Sequence, residues 1–323
     1  MSTGRRQLVP PLRTVLATKQ LKDARNEREA IRQQLVQTVE ALERTRRAKA
    51  PRVPKHQARR RLKGDRVRIC AGDLHGMKRE PKAVAAFLHD VAQLNPHEII
   101  LGGDIVDCGG FLAQHHTLGY VAETDYSYEE DTIAGNQFLD SLQRIAAKAR
   151  FEYLEGNHER RVETWAVTQV LRHARDAELL RRAVAPEFLL DLKARDIPYR
   201  RLSVCYDGLD VPGVIKRDAC YYFHGITTSK HAAALTLLRT SANCVFFHTH
   251  RAQSDIQRRV SAGTIGAWNP GCLCAQQPLW QHGAPTDWTN GYAVQFVTRT
   301  GKFLHINVPI LDGTTLLSSL LGR

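Results

Sequence analysis

The chain has 323 residues, 43% of them apolar, and a formal net charge of +13. That apolar share supports a sizeable core and excludes a wholly disordered chain. No apolar run approaches the roughly 18–20 residues of a membrane span, and residues 1–17 hold no apolar block suited to a secretory leader, so a soluble cytoplasmic protein is expected.

The charge is placed unevenly. Residues 1–68 carry 20 Lys/Arg against 6 Asp/Glu, whereas residues 69–323 carry 26 against 27, so the excess lies in the N-terminal fifth. Residues 1–19 read as a tail. Residues 20–48 lack Pro and Gly, and Leu21, Ala24, Ile31, Leu35 and Leu42 fall on a 3-4 spacing. This predicts an amphipathic helix that either self-associates as a short coiled coil, giving a homo-oligomer, or packs on the body. Residues 49–65 read as a basic linker. Across 46–68 there are eleven Lys/Arg, one acid and two prolines. Such a segment is either a solvated tether or a phosphate-backbone contact to nucleic acid.

From Arg66 the pattern changes, and a domain over 66–323 is expected. RVRICAGD, HEIILGGD and RFEYLEGN are short apolar runs that each end in Gly and a polar residue. Helical spacing between them, over 80–94 and 132–149, gives the strand–helix alternation of an α/β unit. Residues about 160–197 read as a helical insertion. ACYYFHG, NCVFFHTH, VSAGTIGAW, GYAVQFVTR and KFLHINVPI follow with few helices, which predicts a second sheet, more antiparallel in character. Seven cysteines without a C-x-x-C pair argue against zinc fingers and a disulfide framework.

Five stretches each follow such a run: Gly72-Asp73-Leu74-His75-Gly76, Gly103-Asp104-Ile105-Val106-Asp107, Gly156-Asn157-His158-Glu159, His224-Gly225 and His248-Thr249-His250. Residues just past strand C-termini gather in one crevice of an α/β sheet. Carboxylates, imidazoles and an amide brought together there suit two hard-to-borderline divalent cations. Such a pair, about 3.5–4 Å apart, can share a hydroxide and neutralise phosphoryl oxygens. Mn²⁺ is the preferred ion for this donor mixture, with Fe, Zn²⁺ and Mg²⁺ also compatible.

Taken in order, the five stretches resemble the calcineurin-like metallophosphoesterases, with their GD-x-H, GD-x-x-D, GNH[ED], H and GH-x-H motifs, over about residues 66–310. The resemblance implies an α/β fold, a four-layer α/β/β/α sandwich of two mixed sheets. It implies that Asp73, His75, Asp104 and His250 hold one cation, that Asp104, Asn157, His224 and His248 hold the other, and that Asp104 bridges them. A metal-bridging hydroxide would be the nucleophile, His158 the general acid and Asp107 the residue that orients the His158 ring.

Two departures matter. Phe247 stands where the family has Gly before H-x-H, so a looser turn or a longer strand is expected. Cys108 stands where the protein-phosphatase branch carries an arginine that clamps a terminal phosphate dianion, and a thiol is no substitute. Arg160 or Arg161 would compensate as substrate-binding residues, or else are surface cations. Trp268-Asn269-Pro270-Gly271-Cys272-Leu273 resembles a loop that borders the site in the family. Trp280 and Trp288 either stack nucleobases or plug the sheet edge. His115 and His116 lie in a long connection and read as a surface pair.

The leading function is a two-metal phosphodiesterase, a nuclease or nucleotide hydrolase. A phosphomonoesterase of the protein-phosphatase branch is the first alternative. A nucleic-acid-binding assembly protein with incidental hydrolase activity is the second.

Overall fold

The computed structural model describes residues 64–109, 126–169, 174–260, 262–277 and 285–317, together with Lys22, Asn26, Ala30, Gln33 and Gln37. The chain divides into two units, residues 1–50 and 51–323. In the first, the five described residues are helical and exposed. The apolar seam expected there, nine of the eleven cations of 46–68, the pair His115 and His116, and Trp280 all lie outside the described residues.

In the second unit, β1 (Arg66–Ala71), β2 (Glu98–Leu101), β3 (Arg150–Leu154) and β4 (Tyr199–Arg200) run parallel in that spatial order. On the other flank of β1, β10 (Gly291–Val297) pairs antiparallel, and β11 (Phe303–Pro309) completes a six-stranded sheet. The second sheet has five strands. Its order is β5 (Ile215–Arg217), β6 (Cys220–Phe223), β7 (Cys244–Phe246), β9 (Gly263–Pro270) and β8 (Ala252–Arg259). Its inner pairs β6–β7 and β7–β9 are parallel and its outer pairs antiparallel, so both sheets are mixed.

Local sequence explains the helices. In α1 (Pro81–Leu94) the Glu80 side chain accepts from the Lys82 N–H, proline occupies the first turn, and Asn95 ends the helix in the left-handed region. Its Phe87 packs against Tyr292 of β10 and Phe138 of α2 (Tyr128–Ile145). Ser127 caps α2, with Glu129, Glu130 and Asp131 in its first turn, where they favour the helix dipole. After β3 come α3 (Asn157–Gln169), α4 (Ala174–Val184) and α5 (Pro186–Leu189). On the far side, α6 (Ala232–Thr240) buries Ala233 and Leu237 against Phe223, Phe246 and Ala267.

Between the sheets lie Cys70, Ile100, Leu154 and Ala293 from one and Ile215, Tyr222, Val245 and Phe247 from the other. Phe246 and Phe247 serve opposite faces because successive side chains alternate along a strand. The layers are therefore helix, sheet, sheet, helix.

Two expectations change. The runs GYAVQFVTR and KFLHINVPI do not extend the second sheet. They form β10 and β11 and return to the first, where β10 lies beside the N-terminal strand. Strand β8, AQSDIQRR, escapes a reading based on apolar runs. It is an edge strand with alternating exposed and half-buried positions and an Ile256 that is 60% exposed.

Arg66 and Arg68, counted above among the cations of the basic arm, belong to β1 and face inward. Arg66 reaches Asp218 at 2.6 Å. Arg68 is buried, pairs with Glu98 at 2.7 Å and Asp218 at 2.6 Å, and donates to Tyr222 Oη at 2.8 Å. This ties β1 to both sheets and commits both cations to carboxylates of the fold. Replacing Arg68 with Met takes the buried guanidinium from Glu98 and Asp218, which keep Arg66 at 3.5 and 2.6 Å, and the expected loss is about 1.5–3 kcal/mol. The urea midpoint of the variant checks it; a change under about 1 kcal/mol would show that water already reaches these carboxylates.

Candidate functional site

The first sheet delivers its strand tips side by side, and the tips are stitched together. Asp73 N–H donates to Gly103 O at 3.0 Å, His75 N–H to Asp104 O at 2.9 Å, and Phe247 N–H to His224 O at 2.6 Å. Asp73 (φ 51°), His75 (54°), Asp104 (51°), His248 (77°) and His250 (59°) all occupy the left-handed region. Each such residue costs on the order of 1–3 kcal/mol, and strain of this kind concentrates at functional sites.

Two glycine features make room for the turns. Phe247 sits in the place left by Gly102 and Gly72; a Cβ on Gly102 would stand 2.2 Å from the Phe247 ring and one on Gly72 2.9 Å. So Phe247 neither loosens the turn nor lengthens β7, which ends at Phe246. Its ring fills the inter-sheet core under the site. At Gly156 a Cβ would meet Asp104 Oδ1 at 2.0 Å, which is why α3 can begin directly over that carboxylate.

The residues singled out in the sequence converge. Asp73, His75, Asp104 and His250 each bring a ligand atom within 4.8 Å of the others, and so do Asp104, His224 and His248. Asn157 joins the second group, with Oδ1 2.8 Å from His224 Nε2. Asp104 belongs to both.

Hydrogen bonds fix the tautomers. His75 Nδ1 lies 2.9 Å from Asp107 Oδ1, and His224 Nδ1 lies 2.8 Å from Gly102 O. Both partners only accept, so the Nδ1 atoms carry protons and the Nε2 atoms face the gap. There His75 Nε2 is 3.1 Å from His250 Nε2, and His224 Nε2 is 3.2 Å from Asp104 Oδ2. Asp73 Oδ1 and Asp104 Oδ2 are buried without a hydrogen-bond partner. Ring nitrogens and carboxylate oxygens aimed at one another in a buried gap need positive charge between them. Protons or cations supply it, and the donor set of nitrogen and oxygen fits divalent cations.

The electrostatics agree. Burial opposes charge on His224, but Asp104 and Asp73 outweigh it and hold the ring up at about 10. Burial likewise opposes ionisation of Asp104, yet His224 and His158 keep it well below the usual carboxylate range. Burial and neighbouring imidazoles lower His75 and His248 to about 4, so these rings are neutral at pH 7.

His158 stands at the rim. Its Nδ1–H donates to Asp107 O at 2.7 Å and lies 3.1 Å from Asp107 Oδ1, and its Nε2 is 3.8 Å from Asp104 Oδ2. Arg161 lays its guanidinium against the ring, its nitrogens 2.9 and 3.1 Å from Nδ1 and Nε2. Arg160 does not join the site: it is exposed, and its charge acts on Glu155. Trp288 meets His250 edge to face at 4.1 Å and is half-buried beside the site. Asn269 is buried and donates to Phe247 O and Thr249 Oγ1, so this loop braces the His248–His250 turn.

Three supporting residues were not found in the sequence. Glu159 accepts from the Asp104, Ile105 and Gly156 N–H groups at 2.9, 2.8 and 3.0 Å and from Tyr153 Oη at 2.7 Å. It straps the β2 tip to the start of α3. Asp131 accepts from the Asp107 and Cys108 N–H groups, both at 3.0 Å. Lys78 Nζ holds Asp107 Oδ2 at 2.6 Å. Glu159 sits inside the quoted GNHE stretch and Lys78 three residues past His75. Asp131 reads as an ordinary acid of a helix start, and only the fold shows its second task.

A family model described as calcineurin-like phosphoesterase matches residues 68–273. No curated protein matches the sequence. Among solved structures, Vacuolar Protein Sorting 29 from Cryptosporidium parvum is similar at 13% identity and a TM-score of 0.36, over 79% of this chain and 95% of that one. Vps29 from Chaetomium thermophilum is similar at 11% identity and a TM-score of 0.38, over 77% and 89%. At these scores neither likeness carries an argument. Among the described residues no helix is long and apolar enough to cross a membrane.

The Phe247–glycine contact gives a test of how the site floor is built. Gly102→Ala alone is expected to cost about 2–3 kcal/mol by overpacking. In a Phe247→Ala background the same change is expected to cost much less, a coupling of about 1–3 kcal/mol in chemical denaturation. Additive costs would mean that the ring does not depend on that space.

Proposed function

The chain belongs to the calcineurin-like phosphoesterase family, and we propose that it is a two-metal phosphoester hydrolase whose preferred substrates are phosphodiesters, as in a nuclease or nucleotide hydrolase. The observation that carries this reading is the pair of ligand groups sharing Asp104, with orphaned oxygens on Asp73 and Asp104 turned into the gap. In it, Asp73, His75, Asp104 and His250 hold one divalent cation and Asp104, Asn157, His224 and His248 the other. Mn²⁺ is the preferred ion. Such a pair, when bound, neutralises phosphoryl oxygens and makes water acidic enough to attack phosphorus near neutral pH.

The protein's own groups do the rest. Asp107 receives His75 and His158 on one oxygen and Lys78 on the other, so a single carboxylate sets both the ligand ring and the proton donor. With Nδ1–H committed to Asp107, His158 delivers its proton from Nε2 to the leaving oxygen. Proton donation of this kind contributes typically 10²–10⁴-fold. Arg161, held against the His158 ring, is placed to take a non-bridging phosphoryl oxygen. Where the arginine that clamps a terminal dianion would stand, this chain has the buried, neutral thiol of Cys108, and the Lys78 cation beside Asp107 is already paired with that carboxylate, which favours diesters. The monoesterase reading rests on Arg161, which brings one guanidinium back to the same rim.

With Mn²⁺ added, bis(p-nitrophenyl) phosphate is expected to turn over faster than p-nitrophenyl phosphate. Turnover of the monoester alone would select the second reading. Asp104→Asn is expected to lose both cations by metal analysis. His158→Asn is expected to keep both and to lose turnover by roughly 10²–10⁴-fold. Because His224 is held up at about 10, a cation entering at pH 7 must displace its proton. Calorimetry in buffers of different ionisation enthalpy is expected to show release of at least one proton, since against burial Asp73 also holds His250 above its ordinary range, with affinity rising with pH up to about 10. Binding that is independent of pH would place the cation elsewhere.

A further inference from the structure

Metal-binding imidazoles are oriented by what their other nitrogen touches, and that partner is commonly a carboxylate, a carbonyl or water. Here His75 has the Asp107 carboxylate and His224 the Gly102 carbonyl. His250 differs. Its Nδ1 lies 3.8 Å from the Sγ of Cys274, within hydrogen-bond reach of a sulfur. Its Nε2 faces Asp73 Oδ1 at 3.5 Å and His75 Nε2 at 3.1 Å, so for a lone pair on that side to meet a cation the proton must stand on Nδ1.

We propose that Cys274 is the positioning residue for His250, its sulfur accepting the Nδ1–H and thereby aiming Nε2 into the gap. This rests on the reading of His250 as a cation ligand. The thiol is well placed for the task. Cys274 is buried, its carbonyl accepts from Asn290 Nδ2 at 2.7 Å, the next N–H donates to Lys78 O at 2.8 Å, and it bridges to Arg79. The segment is thus sewn to the same loop that carries Asp73 and His75, where Leu273 N–H donates to Asp73 O at 3.1 Å. Cys272, two residues earlier, turns its sulfur to the Thr289 and Cys274 carbonyls instead. A sulfur acceptor is softer and longer than a carboxylate, so the ring is held with less basicity.

The full-length protein is titrated with Mn²⁺ by calorimetry, and the metal-free protein labelled with ¹⁵N-histidine is observed by NMR. Cys274→Ala, and Cys274→Val as a replacement that keeps the volume filled, are expected to weaken one of the two cations by about 10–100-fold. They are also expected to lose the protected Nδ1–H resonance of His250. Cys274→Ser is expected to retain most of the affinity, and Cys272→Ala to behave as wild type. Wild-type affinity together with an intact Nδ1–H signal in the Ala or Val variant overturns the proposal. If the wild-type protein takes up no divalent cation, the hydrolase reading falls, and the resonance still decides whether Cys274 holds the ring.

Discussion

The structure depends on placing like polar atoms against one another in a dry gap. His75 and His250 point ring nitrogens at each other, and Asp104 and Asn157 point oxygens at His224. Without positive charge between them this arrangement repels. It persists because three of the candidate ligands are held from behind: His75 by Asp107, His224 by Gly102, and Asp104 by the His158 N–H on its other oxygen. The backbone contributes as well, since five candidate ligands accept left-handed conformations that only a tightly stitched set of strand tips can impose.

That stitching is a property of both sheets. Asp73 and Asp104 stand on neighbouring parallel strands, and His224, His248 and His250 come from the second sheet. The sheets meet through a core that includes Phe247. The ring directly under the site fills the space of two glycines at the tips of β1 and β2. Site geometry and core packing are therefore one problem here: a change in the floor moves candidate ligands on both sides of the gap. Arg68 performs the corresponding task at the other end of β1, where a buried guanidinium joins Glu98, Asp218 and Tyr222.

The two departures from the resembling motifs are accommodated differently. Phe247 is matched by close-approaching glycines and leaves both neighbouring histidines in place. Cys108 is not matched in kind, because a neutral buried thiol cannot bind an anion. The cations at the rim come from other positions, Lys78 on Asp107 and Arg161 on α3, one helical turn beyond His158. In the proposed reading, the charge at the mouth thus comes from Lys78 and Arg161, and this is the physical ground on which diester and monoester chemistry divide.

The sequence alone determined the layered α/β class and the identity of the converging residues. Short apolar runs ending in Gly and a polar group mark strand tips, and His, Asp and Asn at five such tips have few other uses. It did not determine which sheet receives β10 and β11, because an alternating strand carries no mark of its partner and hydrogen bonding across sheets is non-local. Nor did it reveal Glu159 as a strap, Asp131 as a brace, Lys78 on Asp107 or Cys274 behind His250. An acid, a lysine or a cysteine looks the same in sequence whether it faces water or a ligand's second nitrogen. Only the tertiary structure, by bringing residues more than twenty positions apart within hydrogen-bond distance, decides that.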